Sequence, residues 1–383
     1  MGEPDLHVGA VIIGAGQAGL SVAHHLGRRG ITPVDLNPAR HGDDTSLLLD
    51  HAPRPGGAWQ FRWPSLTLAA ANNVHDLPGL GLQQALGTDA DDVRASEAMP
   101  VYFGAYEERF ELRAQRPVDV TSVSRDGGRY LITARRPGGG ELTISAAVVL
   151  NASGTWDQPF WPVVPGHETF IGRQLHAHDY TDPGQFAGRR VVVVGAGISA
   201  VQLLIELAES GRVDSTVWVS RREPSYHDAP FTPEHGRQAV ARVEERVRKG
   251  LPPGSVVSVT GLPVTDAIRR GRRTGILDWN PMFTRMLPDG VGWPDGRGPG
   301  GADRITADAI LWCTGFRSSL RHLRPLNLRN HLGGITMTGP MATQIAGEPT
   351  LHLLGYGPTA STIGANRAGR IAARAVLPYL ITG

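Results

Sequence analysis

The stretch "VIIGAGQAGLSVAHHLGRRG", residues 11–30, decides the fold. An aliphatic run of strand length meets Gly14 and Gly16, and a helical pattern follows and ends in glycine. The spacing Gly14, Gly16, Gly19 gives each glycine a task. The first permits a tight turn, the second lets backbone approach a pyrophosphate, and the third lets the helix lie close to the strand. The helix N-terminus adds partial positive charge where an anion would sit. Alone, such a motif is common. Here it recurs as "VVVVGAGISAVQLLIELAESG", residues 191–211, with Gly195, Gly197, Ser199 and Ala200 at the turn. In this second copy Leu203, Leu204, Leu207 and Ala208 share one helical face, and Gly211 stands where a left-handed C-cap belongs. The duplication predicts an α/β protein with two Rossmann-like dinucleotide-binding domains.

Such a domain carries a ribose-binding acid after its second strand, about 20 residues beyond the glycines. Two acids compete in the first copy. Asp35 has the spacing, but the surrounding "TPVDLNP" holds prolines that disfavour a central strand. Asp50 closes "SLLLD", which reads as a buried strand, and its distance requires an insertion of about a dozen residues across 32–45. Asp50 is preferred, which leaves Asp35 as a turn residue. In the second copy the strand "STVWVS" ends at Ser220 and runs into Arg221 and Arg222. A hydroxyl and two guanidiniums suit a 2′-phosphate, to which arginine offers charge-assisted, bidentate hydrogen bonds. The second nucleotide is therefore expected to be NADPH; the blander reading is a solvated pair of surface arginines.

The rest of the chain bounds the problem. With 383 residues, 40% hydrophobic and 19% charged, it is long enough for two or three domains with real cores. A net charge of +2 gives no global pull toward nucleic acid or anionic membrane, so "RRGRR" (269–273) reads as a solvated helix end. No apolar run approaches the roughly 18 residues of a membrane span. The acidic N-terminus runs straight into a strand pattern with no secretory signature, and a cytoplasmic enzyme is expected. The single cysteine, Cys313, excludes an intrachain disulfide or redox pair and reads as a small core residue. No ligand cluster for a metal is evident around His176 and His178.

Between the glycine motifs, "YFGAYEERFEL" (102–112) predicts a helix. "PVDVTSVS", "RYLITARR" and "ELTISAAVVLNASG" predict a small antiparallel insertion. Residues 237–249 predict an exposed helix with Val240, Val243 and Val247 buried, and the Gly- and Pro-rich run 288–301 predicts a hairpin loop. A last helix starts near Thr362, with Ser361 or Thr362 as N-cap. "LDWNPMF" (277–283) lines either a substrate route or a subunit contact of a homo-oligomer. "FIGRQLHAHDY" (170–180) is too broken in hydrophobicity for a strand and has no helical stripe.

That last stretch carries a resemblance. Phe170, Gly172, His176 and Tyr180 resemble the F-x-G-x-x-x-H-x-x-x-[YF] fingerprint of the flavin-containing monooxygenase family. "PGGAW" (55–59) is similar to its second FAD segment, with Gly57 and Trp59. "NASGTW" (151–156) and "WCTGF" (312–316) are similar to its crossover strands, with Ala152, Gly154, Thr314 and Gly315. The resemblance implies two nested domains: an FAD domain from 1–162 and 302–383, and an NADPH domain from 163–301 inserted between them. It implies hydride transfer from NADPH to FAD, a C4a-hydroperoxyflavin formed with O2, and oxygenation of a small N-, S- or otherwise nucleophilic substrate; the alternatives are an NADPH-dependent FAD reductase or oxidase that inserts no oxygen, and a flavin-binding redox sensor. It places His176 either as a hydrogen-bonding tie between nicotinamide and flavin or as part of a structural hinge. The last helix would point its N-terminus, Ser361 and Thr362, at the flavin. Tyr180 argues against the Baeyer–Villiger branch, whose fingerprint ends in Trp. Where N- and S-oxygenating members hold a side-chain amide, this chain has Ala69, Ala70 and Ala71, then Asn72, Asn73 and His75. Those three either donate hydrogen bonds near the flavin or form a turn.

Overall fold

Leu6–Ile13 forms the central strand of a five-stranded parallel run. It pairs on one side with Glu141–Asn151 and on the other with Thr45–Leu49, in the register Ile12 to Leu150 and Ile12 to Leu48. Glu348–Leu353 extends the sheet beyond the long strand, and Thr32–Val34 closes the opposite edge. Pro33 can sit in that last strand because an edge strand leaves one row of amides unused. The computed structural model describes residues 3–37, 42–71, 74–87, 92–227, 233–254 and 261–381. The insertion expected across 32–45 thus contains a short strand of its own. It leaves Thr45–Leu49, whose five residues are all buried, as the direct neighbour of the central strand.

The antiparallel insertion is present. Asp119–Asp126, Arg129–Arg135 and the first half of Glu141–Asn151 form a meander. The helix expected at 102–112 spans Ala95–Arg109 instead, since Ala95, Ala98, Met99, Tyr102, Phe103 and Tyr106 make one continuous buried face. Helix Gln17–Gly27 and the last helix, Thr362–Val376, lie close together; a Cβ on Gly369 would stand 2.4 Å from the Ser21 hydroxyl.

The chain divides into two units, one of Met1–Thr155, Val240–Gly254 and Ser318–Gly383, the other of Trp156–Ala239 and Ser255–Arg317. These bounds differ from the expected ones in three places. Trp156 to Pro162 and Ala302 to Arg317 fall in the second unit, and Val240–Gly254 falls in the first. The reason is packing. Ala309–Trp312 is an inner strand of the second sheet, paired in parallel with Arg190–Val194 and with Arg173–His176. Val247, at the end of helix Pro233–Arg248, is fully buried in the core of the first unit.

The second unit's sheet runs Trp279–Pro281, Ser215–Ser220, Arg190–Val194, Ala309–Trp312, Arg173–His176. The stretch 170–180, judged too broken for a strand, therefore contains one. Its edge strand Arg173–His176 is imposed by pairing with Ala309–Trp312 rather than by its own hydrophobic pattern, a tertiary override of weak local preference. Gly172 has a steric reason: a Cβ there would lie 2.3 Å from the Phe170 ring and 2.6 Å from the Asp308 carbonyl oxygen. The run 288–301, expected as a hairpin loop, contains a strand: Gly290–Gly292 pairs with Arg285–Leu287 on one side and with Arg304–Thr306 on the other.

Candidate functional site

In the first unit the glycine loop is shaped by its neighbours. Gly14 has φ 99° and donates its amide to the Leu49 carbonyl at 2.7 Å; a Cβ on it would fall 2.5 Å from the Ala152 carbonyl oxygen. A Cβ on Gly19 would sit 1.8 Å from the Gly14 carbonyl oxygen, so the helix cannot seat without glycine there. Gly16 is different. Its Cβ would meet nothing nearer than Gly57 Cα at 4.0 Å, and Gly57 itself has φ 52°. The "PGGAW" loop thus faces the first glycine loop, and its Gly57–Phe61 turn carries a half-buried Trp59. From the other side the approach is close, since a Cβ on Gly57 would stand 2.9 Å from Gly16 Cα; the bare glycine backbone this leaves at the N-terminus of Gln17–Gly27 is of the kind that fits a pyrophosphate. Gly154, with φ 67° and open space at its Cβ position, continues this opening.

Below that opening runs a directed hydrogen-bond chain. His322 Nε2 donates to Asn151 Oδ1 at 2.7 Å, Asn151 Nδ2 donates to Ser153 Oγ at 3.0 Å, and Ser153 Oγ donates to the Ser319 carbonyl at 2.7 Å. Burial holds the His322 ring neutral, its pKa down at about 4. Nε2 is the protonated nitrogen, because Asn151 presents an acceptor.

The two acids separate clearly. Asp35 follows the edge strand, and its Oδ1 accepts from the Asn37 amide at 2.9 Å, the local bond of a turn. Asp50 follows the strand beside the central one and is 4% exposed. Its Oδ2 accepts from Arg116 Nε at 2.8 Å. Arg116 in turn donates both terminal nitrogens to Glu107, at 2.6 and 2.7 Å. Sequence reasoning missed Arg116 and Glu107. Nothing in a lone Arg before Pro117 signals it, since the pairing comes from Gln115 to Val118 running alongside the Asp50 strand.

The last helix begins where a cap predicts: Ser361 is the N-cap, its Oγ accepting from the Gly364 amide at 3.1 Å. Such a cap contributes about 1 kcal/mol. Thr362 Oγ1 accepts from the His75 amide at 3.2 Å, and Gln17 bridges the His75 carbonyl and Asn366 Oδ1, both at 3.0 Å. The structure therefore joins His75, Thr362 and the first glycine helix. Gln17 and Asn366 were also missed. Asn72 and Asn73 lie outside the described residues.

In the second unit Gly195 has φ 151° and a Cβ there would stand 2.4 Å from the Cys313 carbonyl oxygen, while Gly197 faces open space. Ser199 is half-buried in the first turn of helix Ile198–Glu209, and Ala200 is fully buried. Trp218, fully buried in Ser215–Ser220, donates its indole N–H to the Gly195 carbonyl at 2.7 Å. Ser220 departs from its expected role. It is 3% exposed, donates its hydroxyl to the Arg222 carbonyl at 2.6 Å and accepts from Trp279 Nε1 at 2.8 Å. Its hydroxyl is spent on fixing the turn, so it does not reach out to a phosphate. Arg221 and Arg222 are exposed and make no ion pair among the described residues.

Thr314 Oγ1 donates to the Phe160 carbonyl at 2.5 Å, and the Phe160 amide donates to Gly315 at 2.9 Å, so both crossover residues brace "QPFWP". His176 is fully buried against Trp161 and Phe316. Its Nδ1 accepts from the His178 amide at 3.0 Å. Burial brings its pKa down to about 4, and the nearby Gly315 backbone opposes that only in part.

Comparison with known proteins places this geometry. The flavin monooxygenase of Stenotrophomonas maltophilia, solved in native and doubly substituted forms, superposes with a TM-score of 0.77 for the substituted form at 31% identity. The match covers 98% of this chain and 100% of that one. The chain belongs to the flavin monooxygenase family. Membership makes it an FAD-dependent oxidoreductase. Residues 73–250 also match the family described as pyridine nucleotide-disulphide oxidoreductase. The oxidoreductase CzcO of Bacillus velezensis is 29% identical over 52% of this chain, and the FAD-containing monooxygenase EthA of Mycolicibacterium smegmatis is 26% identical over 57%. This chain spans about half the length of these two curated relatives, 51% and 42%. No helix among the described residues is long and apolar enough to cross a membrane.

Proposed function

We propose that this protein is an NADPH-dependent flavoprotein monooxygenase that uses O2 to oxygenate a small molecule at a nucleophilic nitrogen or sulfur. The carrying observation is the paired cradles: two strand–glycine–helix turns, each with an open second glycine, one flanked by an acid and the other by two exposed guanidiniums that make no ion pair among the described residues. FAD belongs to the unit containing Gly14, Gly16 and Gly57, and NADPH to the unit containing Gly195 and Gly197. FAD, once bound, supplies the hydride acceptor and the oxygen chemistry, as flavins do.

The chain's own residues supply binding and orientation. Gly16, Gly57 and the Gln17–Gly27 N-terminus receive the FAD pyrophosphate, and Asp50 accepts from the adenosine ribose. The N-terminus of Thr362–Val376, capped by Ser361, stands beside His75 and favours negative charge on a reduced flavin, worth up to about 2 kcal/mol. Arg221 and Arg222 take the 2′-phosphate, which separates NADPH from NADH.

The experiment follows the oxygen. Enzyme, NADPH and a panel of small thioethers and amines are incubated under isotope-labelled O2. Label in the oxidised product supports the proposal. NADPH consumption with all oxygen recovered as hydrogen peroxide would identify an oxidase instead.

A further inference from the structure

Asp50 is held as no sequence motif foretells. Its carboxylate is 4% exposed, yet only one oxygen is well used: Oδ2 accepts from Arg116 Nε at 2.8 Å. Among the described residues Oδ1 has only the Ala52 amide at 3.5 Å and the His51 ring at 3.8 Å. A buried carboxylate oxygen without a good donor is costly unless something supplies one. Arg116 is 9% exposed and cannot rotate away, because Glu107 grips its other two nitrogens at 2.6 and 2.7 Å. Its backbone is fixed as well: the Gln115 amide donates to Leu48, and the Val118 amide donates to the Asp50 carbonyl. Two carboxylates thus converge on one guanidinium beside the end of the strand next to the first glycine loop.

We propose that Arg116 is a positioning residue for FAD: locked by Glu107, it engages one Asp50 oxygen and leaves the other aimed at a vicinal diol, the ribose of the adenosine half. This rests on the reading of Asp50 as the ribose acid. Arg116 touches no part of the cofactor. It acts by holding Asp50 in one rotamer, with one acceptor oxygen turned away from the guanidinium. The diol supplies the missing donors, and the flavin half of the cofactor takes no part in this recognition. The device therefore selects FAD over FMN, which lacks the adenosine.

The test titrates the full chain, stripped of flavin, with FAD and separately with FMN, following flavin fluorescence. Asp50→Asn and Arg116→Gln should each weaken FAD binding roughly 10- to 100-fold, the range of a charge-assisted hydrogen bond. FMN binding should stay within about two-fold, and the double variant should be no worse than either single one, because the two residues act as one unit. A merely structural arginine would lower the melting temperature and leave the FAD-to-FMN preference unchanged. Arg116→Lys guards against misfolding: it keeps the charge but loses the fork, so the preference should fall while the melting temperature stays near wild type. Should Asp50→Asn lose the preference while both Arg116 variants keep it, the positioning role is wrong and the ribose reading stands. Should Asp50→Asn also keep it, the ribose reading itself is wrong.

Discussion

Replacing Arg221 and Arg222 by alanine, singly and together, tests how this protein chooses its reductant. Both side chains are exposed, and neither has an ion-pair partner among the described residues, so removing them breaks no ion pair among those residues. The turn that carries them is fixed independently, by Ser220 donating to the Arg222 carbonyl at 2.6 Å. The loss therefore falls on the ligand. A charge-assisted hydrogen bond is worth about 1.5–3 kcal/mol, and exposure to water brings that toward about 1–2 kcal/mol. Each substitution should lower kcat/KM for NADPH roughly 5- to 30-fold, and the pair by more. NADH lacks the 2′-phosphate and serves as the internal control, so its kcat/KM should move less than about two-fold. Added salt should weaken NADPH selectively in the wild type and hardly at all in the double variant. If NADPH and NADH fell in parallel, or if NADPH were unaffected, the assignment of the 2′-phosphate to these arginines would be refuted.

Three further outcomes follow from the geometry. Trp279→Phe removes the indole donor to Ser220 but keeps an aromatic ring, so the NADPH-to-NADH ratio should drop about two- to ten-fold with NADH turnover preserved; an unchanged ratio would show that the turn holds without it. Gly172→Ala must displace the Phe170 ring and the Asp308 backbone, and chemical unfolding should register a loss of about 1–3 kcal/mol; a wild-type midpoint would contradict the close approach. The His322 ring is held neutral with its pKa down at about 4, against 6.5 when unfolded, so the unfolded chain binds the extra proton first and stability declines as pH falls from about 6.5 toward 4. The contribution is roughly 3 kcal/mol at most. His322→Asn should flatten that limb in urea titrations at successive pH values, and an unchanged slope would place the acid sensitivity elsewhere.

The parts legible in the sequence were those fixed by local chemistry. Gly14, Gly16 and Gly19 announced a strand–turn–helix, and the collisions a Cβ would suffer at Gly14 and Gly19 explain why no other residue serves. Asp50 was preferred to Asp35 on proline placement, and the strand order sets Asp50 after the strand beside the central one and Asp35 after the edge strand. Ser361 was readable as a cap for the same reason. What could not be read depends on partners distant in the chain. Arg173–His176 is a strand only because Ala309–Trp312 lies beside it. Arg116 reaches Asp50 across 66 positions, and Trp279 reaches Ser220 across 59. Ser220 illustrates the limit best. Its residue type suited a phosphate ligand, but burial and two short hydrogen bonds commit it to the turn instead.

The most direct measurement is anaerobic and optical. The purified chain, loaded with FAD, is mixed with NADPH under nitrogen while the yellow flavin absorbance is followed. The account predicts rapid bleaching, much slower bleaching with equimolar NADH, and return of the colour on admitting air. A polypeptide that fails to take up FAD, or that holds it but stays yellow with NADPH, would contradict the claim that two dinucleotides meet in this protein as donor and acceptor.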